Sequence, residues 1–304
     1  MIKKLAAIAF ILALAAFAVF WVLSTPANLS EDQLAGLGKG DPEMGEFVFW
    51  AGGCGSCHAV KGAKGEDKKI LGGGHVLDTP AGKFITPNIS PDPETGIGNW
   101  SEAEFANAML NGVSPNGSHY YPSFPYTSYA KMKPEDVSHL WAYMNTLPII
   151  ERANEPHQLS IFFQLRRGIG LWKLVFLSSD PVIKNLPDDP QIKFGQYLVE
   201  GAGHCGECHT PRVAFGFGGY DKSRWLAGGP APEGDGKIPN ITAHEKALGG
   251  WSAGDIAYYL ESGFTPDFDS VGGAMVSVQE NMTKLPAADR EAIAAYLKAI
   301  PKID

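Results

Sequence analysis

The apolar positions of this chain change period along its length. Lys3 and Lys4 precede an unbroken uncharged run, Leu5 to Leu23, 19 residues rich in Ala, Leu, Ile and Phe. At about 1.5 Å per residue this run nearly spans the ~30 Å hydrocarbon core of a bilayer. It ends Phe20-Trp21-Val22-Leu23-Ser24-Thr25-Pro26, with an interfacial tryptophan and no convincing cleavage site. Residues 1–25 therefore read as an uncleaved anchor rather than a cleaved signal peptide. In either case the lysines stay inside and Glu31 onward is exported.

Residues 26–42 are polar and read as linker. Beyond them helical periodicity takes over, and it occurs twice. A helix is predicted from Asp41-Pro42-Glu43, carrying Phe47, Val48 and Trp50; a second starts at Asp189-Pro190 with Phe194, Tyr197, Leu198 and Val199. Trp100-Ser101 and Trp251-Ser252 each open a helix, with Glu104 and Asp255 placed for a capping box. Closing helices are predicted over Pro134–Leu147 and Pro286–Ile300. Their apolar stripes are Leu140, Tyr143, Met144 and Leu147, and Ile293, Tyr296, Leu297 and Ile300. The fold class is mostly α: two tandem helical domains, 43–148 and 189–304, after the N-terminal helix.

The repeat extends to the segments between helices. Gly72-Gly73-Gly74, Pro87-Asn88-Ile89-Ser90 and Gly112-Val113-Ser114-Pro115 are answered by Gly228-Gly229, Pro239-Asn240-Ile241-Thr242 and Gly263-Phe264-Thr265-Pro266. Between the copies, 149–188 forms a connector. Its stretch from Ile161 to Leu177 is apolar, but Arg166, Arg167 and Lys173 interrupt it too often for a membrane span. It reads either as packing between the domains or as an apolar, basic face for a bilayer or a partner subunit. A net charge of −8 gives no support to nucleic-acid binding.

All four cysteines lie in two pentapeptides, Cys54-Gly55-Ser56-Cys57-His58 and Cys205-Gly206-Glu207-Cys208-His209. Each is C-x-x-C-H, the attachment pattern of c-type haem. Two thiols at that spacing add to the vinyl groups of one porphyrin, and the following histidine ligates the iron. A redox dithiol or half of a zinc site is the bland reading, but neither needs a histidine directly after the pair twice over. Two haem c groups are expected, on Cys54 and Cys57 and on Cys205 and Cys208, with His58 and His209 proximal. From the second cysteine to the tryptophan is 43 residues in both copies, and from that tryptophan to Gly112 or Gly263 is 12.

The copies differ on the distal side. Met275 lies 12 residues after Gly263 and is the expected sixth ligand of the second haem, with Met282 read as packing; 12 residues after Gly112 stands Phe124, which cannot ligate iron. Three arrangements are open at the first haem: Met132 as ligand, His119 in a bis-histidine site, or a five-coordinate iron under Phe124. His75, His139, His157, His204 and His244 read as surface or loop residues.

Laid out in this way, the chain resembles the membrane-anchored multihaem c-type cytochromes, above all the cytochrome subunits of bacterial membrane-bound alcohol, sugar and aldehyde dehydrogenases. The resemblance is carried by Tyr197-Leu198-Val199-Glu200, by Pro87-Asn88-Ile89-Ser90-Pro91-Asp92-Pro93-Glu94-Thr95-Gly96-Ile97-Gly98, by His119-Tyr120-Tyr121-Pro122 and by Pro125-Tyr126. It implies electron transfer from a dehydrogenase or quinol to a terminal acceptor, at the periplasmic face of a bacterial inner membrane. Two departures stand out: such subunits usually carry three C-x-x-C-H motifs, and many have methionine at the position of Phe124. An electron carrier without substrate chemistry is the expected function. The alternatives are a haem enzyme (dihaem peroxidase or thiosulfate-oxidising type) and a small-ligand sensor, each using an open first haem. Against them, the loop from His119 to Tyr129 carries no Arg or Glu to polarise a bound peroxide.

Overall fold

In the computed structural model, which describes residues 1–231 and 236–304, the chain begins with helix α1 (Ile2–Leu23). None of its residues is buried, and it is long and apolar enough to cross a membrane. The following segment is more than linker. Ser30 and Gln33 close a capping box that starts the short helix α2 (Glu31–Ala35).

The first repeat contains α3 (Pro42–Gly52), α4 (Cys54–His58), α5 (Glu102–Asn111), α6 (Tyr126–Tyr129) and α7 (Pro134–Met144). Asp41 caps α3 ahead of Pro42, and Ser101 with Glu104 closes the capping box of α5. A hairpin that helical periodicity does not reveal lies between them. β1 (Val76–Thr79) pairs antiparallel with β2 (Gly82–Ile85), and β3 (Gln158–Leu159) from the connector adds to its edge with Gly82 opposite Leu159. The connector then forms α8 (Gly168–Phe176).

The second repeat runs through α9 (Pro190–Tyr197), α10 (Gly206–His209), a two-stranded ribbon of β4 (Gly229–Pro230) and β5 (Lys237–Ile238), α11 (Ala253–Ser262), α12 (Met275–Met282) and α13 (Ala287–Ala299). Asp189 caps α9, and Ser252 with Asp255 forms the box of α11. The first closing helix is shorter than its stripe suggests: it ends at Met144, and Thr146 and Leu147 follow in turns bonded to Tyr143 and Met144.

Each repeat is built on one helix crossing, α3 on α7 and α9 on α13. A Cβ on Gly45 would stand 2.0 Å from the His139 carbonyl oxygen, and one on Gly195 1.9 Å from that of Ala292. Only glycine allows backbones so close. Gly45 lies nine residues before Cys54 and Gly195 ten before Cys205. A π-turn at Leu198–Ala202 takes up the extra residue, so both crossings present their cysteines equivalently. The two repeats share one continuous core. Val48, Phe49, Leu140 and Met144 of the first join Leu198, Val199, Trp225 and Ile293 of the second.

Candidate functional site

Both C-x-x-C-H segments are short helical turns delivered by the crossing helix before them. His58 Nδ1 lies 2.9 Å from the Pro87 carbonyl oxygen, and His209 Nδ1 lies 2.9 Å from that of Pro239. A carbonyl only accepts, so each Nδ1 carries the proton and each Nε2 keeps a bare lone pair. Metal-bound histidines are oriented in this way. Burial lowers the pKa of both imidazoles, favouring the neutral form that ligation requires. Neither Nε2 has a hydrogen-bond partner among the described residues.

The Pro-Asn-Ile segments hold those carbonyls in place. The His58 carbonyl accepts from Gly73 N–H and the His209 carbonyl from Gly228 N–H, both at 2.7 Å. Asn88 Nδ2 donates to the Ile150 carbonyl and Asn240 Nδ2 to the Ile303 carbonyl, both at 2.6 Å. In each repeat the strand of chain after the closing helix is thereby fastened over the proximal turn.

Burial pushes the thiols of Cys54 and Cys205 up to about 12. A redox dithiol or a zinc site needs thiolates, so this environment opposes both. Among the described residues no three His, Cys, Asp or Glu side chains converge as a metal-ion cluster. A thiol pair beside an oriented imidazole fits covalent haem, and the arrangement occurs twice.

On the distal side Met275 is the first residue of α12 and is partly buried against the core. Met282 is almost fully buried within that core. Phe124 is wedged among aromatic rings, with centroids 5.6 Å from Tyr120, 6.3 Å from Tyr126 and 5.6 Å from Tyr129. Met132 is buried and lines a small cavity with Cys54, Tyr129 and Met109. Met109 was not legible as a site residue, because on α5 it belongs to an ordinary apolar stripe with Phe105. His119 is engaged elsewhere: its Nε2 lies 2.9 Å from the carbonyl of Ser24, at the end of α1.

Three of the remaining histidines have structural partners that a surface or loop reading misses. His139 Nδ1 accepts from Asp41 N–H (2.9 Å). His157 Nδ1 accepts from Ile85 N–H (3.2 Å), and its ring packs on Phe84 and Tyr121. His204 Nε2 meets the Gly52 carbonyl at 3.1 Å, joining the approaches to the two motifs.

The motifs also reach into each other's repeats. Ser56, inside the first motif, accepts from Asn281 Nδ2 and Ser277 Oγ of α12, both at 2.9 Å. Lys68, just after that motif, is buried and donates to the Ser277 carbonyl, Ser277 Oγ and Asn281 Oδ1 at 2.9–3.0 Å. It also pairs with Glu280 at 3.0 Å. Reciprocally Glu207, inside the second motif, accepts from Thr127 of α6 at 2.5 Å, and from Tyr220 and Arg212. Burial raises the Glu207 carboxyl, but Arg212 and the hydroxyls outweigh it and leave it below the usual range. Each attachment turn is thus tied to a helix of the other repeat, α12 for the first and α6 for the second. The acid and base missing from the loop His119–Tyr129 are brought to it by the fold, yet they are committed to one another.

Comparison with known proteins follows this geometry. The family described as cytochrome c matches residues 43–148. A dihaem c-type cytochrome of Cereibacter sphaeroides is 53% identical over 282 residues, which cover 93% of both chains. The chain belongs to the dihaem c-type cytochromes. This cytochrome is also similar to the fructose dehydrogenase cytochrome subunit of Gluconobacter japonicus, 33% identical over 84% of this chain and 52% of that one. The gluconate 2-dehydrogenase cytochrome c subunit of Pantoea cypripedii is 34% identical over 85% of this chain and 59% of its own length. The dihaem cytochrome spans little more than half of those two subunits. It is an electron carrier with two haem c groups.

Proposed function

We propose that this dihaem cytochrome carries electrons at the periplasmic face of a bacterial inner membrane, from a membrane-bound dehydrogenase or a quinol to a terminal acceptor. The similarity to dehydrogenase cytochrome subunits supports the donor class, and the exposed apolar helix α1 supports the location. Cys54, Cys57, Cys205 and Cys208 hold the haems covalently. His58 and His209 are the proximal ligands, Met275 is the distal ligand in the second repeat, and Met132 serves in the first. The cavity shared by Met132 and Cys54 supports that last assignment, and the Ser24 carbonyl on His119 Nε2 weighs against its rival.

Haem c, when bound, supplies the one-electron chemistry. The residues of the chain set the conditions for it. Pro87 and Pro239 fix the proton on each Nδ1 and so aim each Nε2. The shared core packs against Cys54 and Cys205, one cysteine of each attachment pair. The observation that carries the reading is the contact of the two attachment segments through Gly52 and His204, which supports two redox centres close together on one shared core.

The test is the spectrum of the reduced protein with and without carbon monoxide, for the native chain and for Met132→Ala. Neither haem of the native protein is expected to bind the gas, and both are expected to be low-spin, while Met132→Ala opens the first haem to it. Binding at the native first haem overturns the simple carrier. An unchanged spectrum in Met132→Ala removes Met132 as a ligand.

A further inference from the structure

The connector, which sequence left between internal packing and an external face, has its polarity inside out. Lys173 of α8 is buried, its Nζ donating to the carbonyls of Asn111 (2.6 Å) and Gly112 (2.7 Å). Gly170, one turn earlier, is pressed on the chain at Ser24, where an added Cβ would meet the Ser24 Cα at 2.5 Å. On the same helix Leu174 and Val175 are nevertheless 61% and 72% exposed. The turn before α8 exposes Ile161 (76%), Phe162 (88%) and Leu165 (66%).

Phe215 of the second repeat extends this apolar face. It is fully exposed at the tip of a turn, with a left-handed φ of 58°. Its turn is fastened to the connector, because Trp172 Nε1 donates to the Phe217 carbonyl (2.9 Å) and the Phe163 and Phe217 rings lie 5.0 Å apart. The connector and the second repeat therefore contribute to one surface. Soluble proteins seldom leave so many large apolar side chains together in water.

The position of the face identifies what covers it. Arg167 donates to the Trp21 carbonyl (2.7 Å), to Ser24 Oγ (2.9 Å) and to Thr25 Oγ1 (3.1 Å), and its guanidinium lies 4.2 Å from the Trp21 ring centre. The start of α8 is thus locked to the last turn of α1. The 22 residues of α1 measure about 33 Å at 1.5 Å each, a little more than a ~30 Å hydrocarbon core. Its last turn consequently lies at the membrane–water boundary, where tryptophan prefers to sit.

From this we infer that the turn at 161–165, α8 and the Phe215 tip form an in-plane membrane contact. Their apolar side chains enter the boundary between acyl chains and headgroups, and Arg166 and Arg167 lie at the level of the lipid phosphates. The contact holds the haem-bearing core in one fixed orientation on the bilayer, instead of leaving it to swing from a single helix. It rests on the reading of α1 as a retained anchor.

The full-length holoprotein in nanodiscs of phosphatidylcholine and phosphatidylglycerol tests it, with a nitroxide label at Phe162→Cys or Val175→Cys and a control label at Tyr258→Cys. On the attachment proposed above, the four native cysteines of the holoprotein are held in thioether bonds and do not take the label. Tyr258, 57% exposed, belongs to α11 and so to neither the connector nor the Phe215 turn. Labels at 162 and 175 are expected to relax with oxygen and to be protected several-fold from a water-soluble nickel chelate, relative to the label at 258. Equal exposure of all three to nickel overturns the contact, including the case in which a protein partner covers this face instead. The intact mass of the purified protein reads the anchor separately. A mass that lacks residues 1–25 sinks the anchor, and protection of both labels on added vesicles then still sustains the contact. A full mass with nickel-exposed labels keeps the anchor and sinks the contact.

Discussion

Lys173 is held as an ammonium would be, by the last carbonyls of α5 and by the face of Tyr126 at 4.6 Å. A helix C-terminus favours a cation. Burial works the other way and pushes its pKa down to about 7. The charged and titratable groups packed near it are His119, Arg167 and Tyr126, and none supplies an anion. With the folded value near 7 and the unfolded value near 10.5, the unfolded chain binds the extra proton between them. Stability therefore rises as pH increases from about 7 towards 10. Thermal midpoints measured across that window are expected to climb in the native protein, and the slope is expected to be lost in Lys173→Met. In the sequence Lys173 marks a charge that interrupts an apolar stretch. Its destination was not legible, because nothing local says that a lysine will cap a helix 60 residues away.

At the scale of elements, most of what mattered could be read from local chemistry. Asp41-Pro42, Asp189-Pro190, Ser101 with Glu104 and Ser252 with Asp255 begin helices where they were expected to, because each cap satisfies orphan N–H groups within its own first turn. The hairpin β1–β2 escaped, since four-residue strands carry little periodicity. The roles of Gly45 and Gly195 escaped too, as a glycine inside a helix reads as a weakness until the partner backbone is in view. Gly45→Ala is expected to force α3 away from α7 and to cost about 1–3 kcal/mol. The same change at Gly195 acts on α9 and α13. Urea unfolding followed by far-ultraviolet circular dichroism measures this, and a midpoint unchanged in both variants would refute the close-crossing argument.

For the whole molecule the reciprocal ties are the main result: Ser56 and Lys68 reach α12, and Glu207 reaches α6. They make the two repeats one cooperative unit. Lys68→Met keeps the apolar stem but strips the buried hydrogen bonds to Ser277 and Asn281 and leaves Glu280 unpaired. The expected loss is on the order of 3 kcal/mol. Calorimetry is expected to show one transition for the native protein and two for the variant, as the repeats uncouple. One undivided transition at the native temperature would mean that the shared apolar core alone joins them.

By itself the sequence determined the cofactor, its number and the doubled helical plan. Those features are written in short-range spacing: a thiol pair with an adjacent imidazole, a cap and its third residue, a stripe at helical period. Only the tertiary structure decided that the repeats share a core, that each attachment turn is bonded into the other repeat, and that His119 faces the anchor. It also decided that the connector turns its lysine inward and its apolar side outward. These depend on contacts between residues tens to hundreds of positions apart, where neither spacing nor period carries information and only the packed backbone determines which side chains meet.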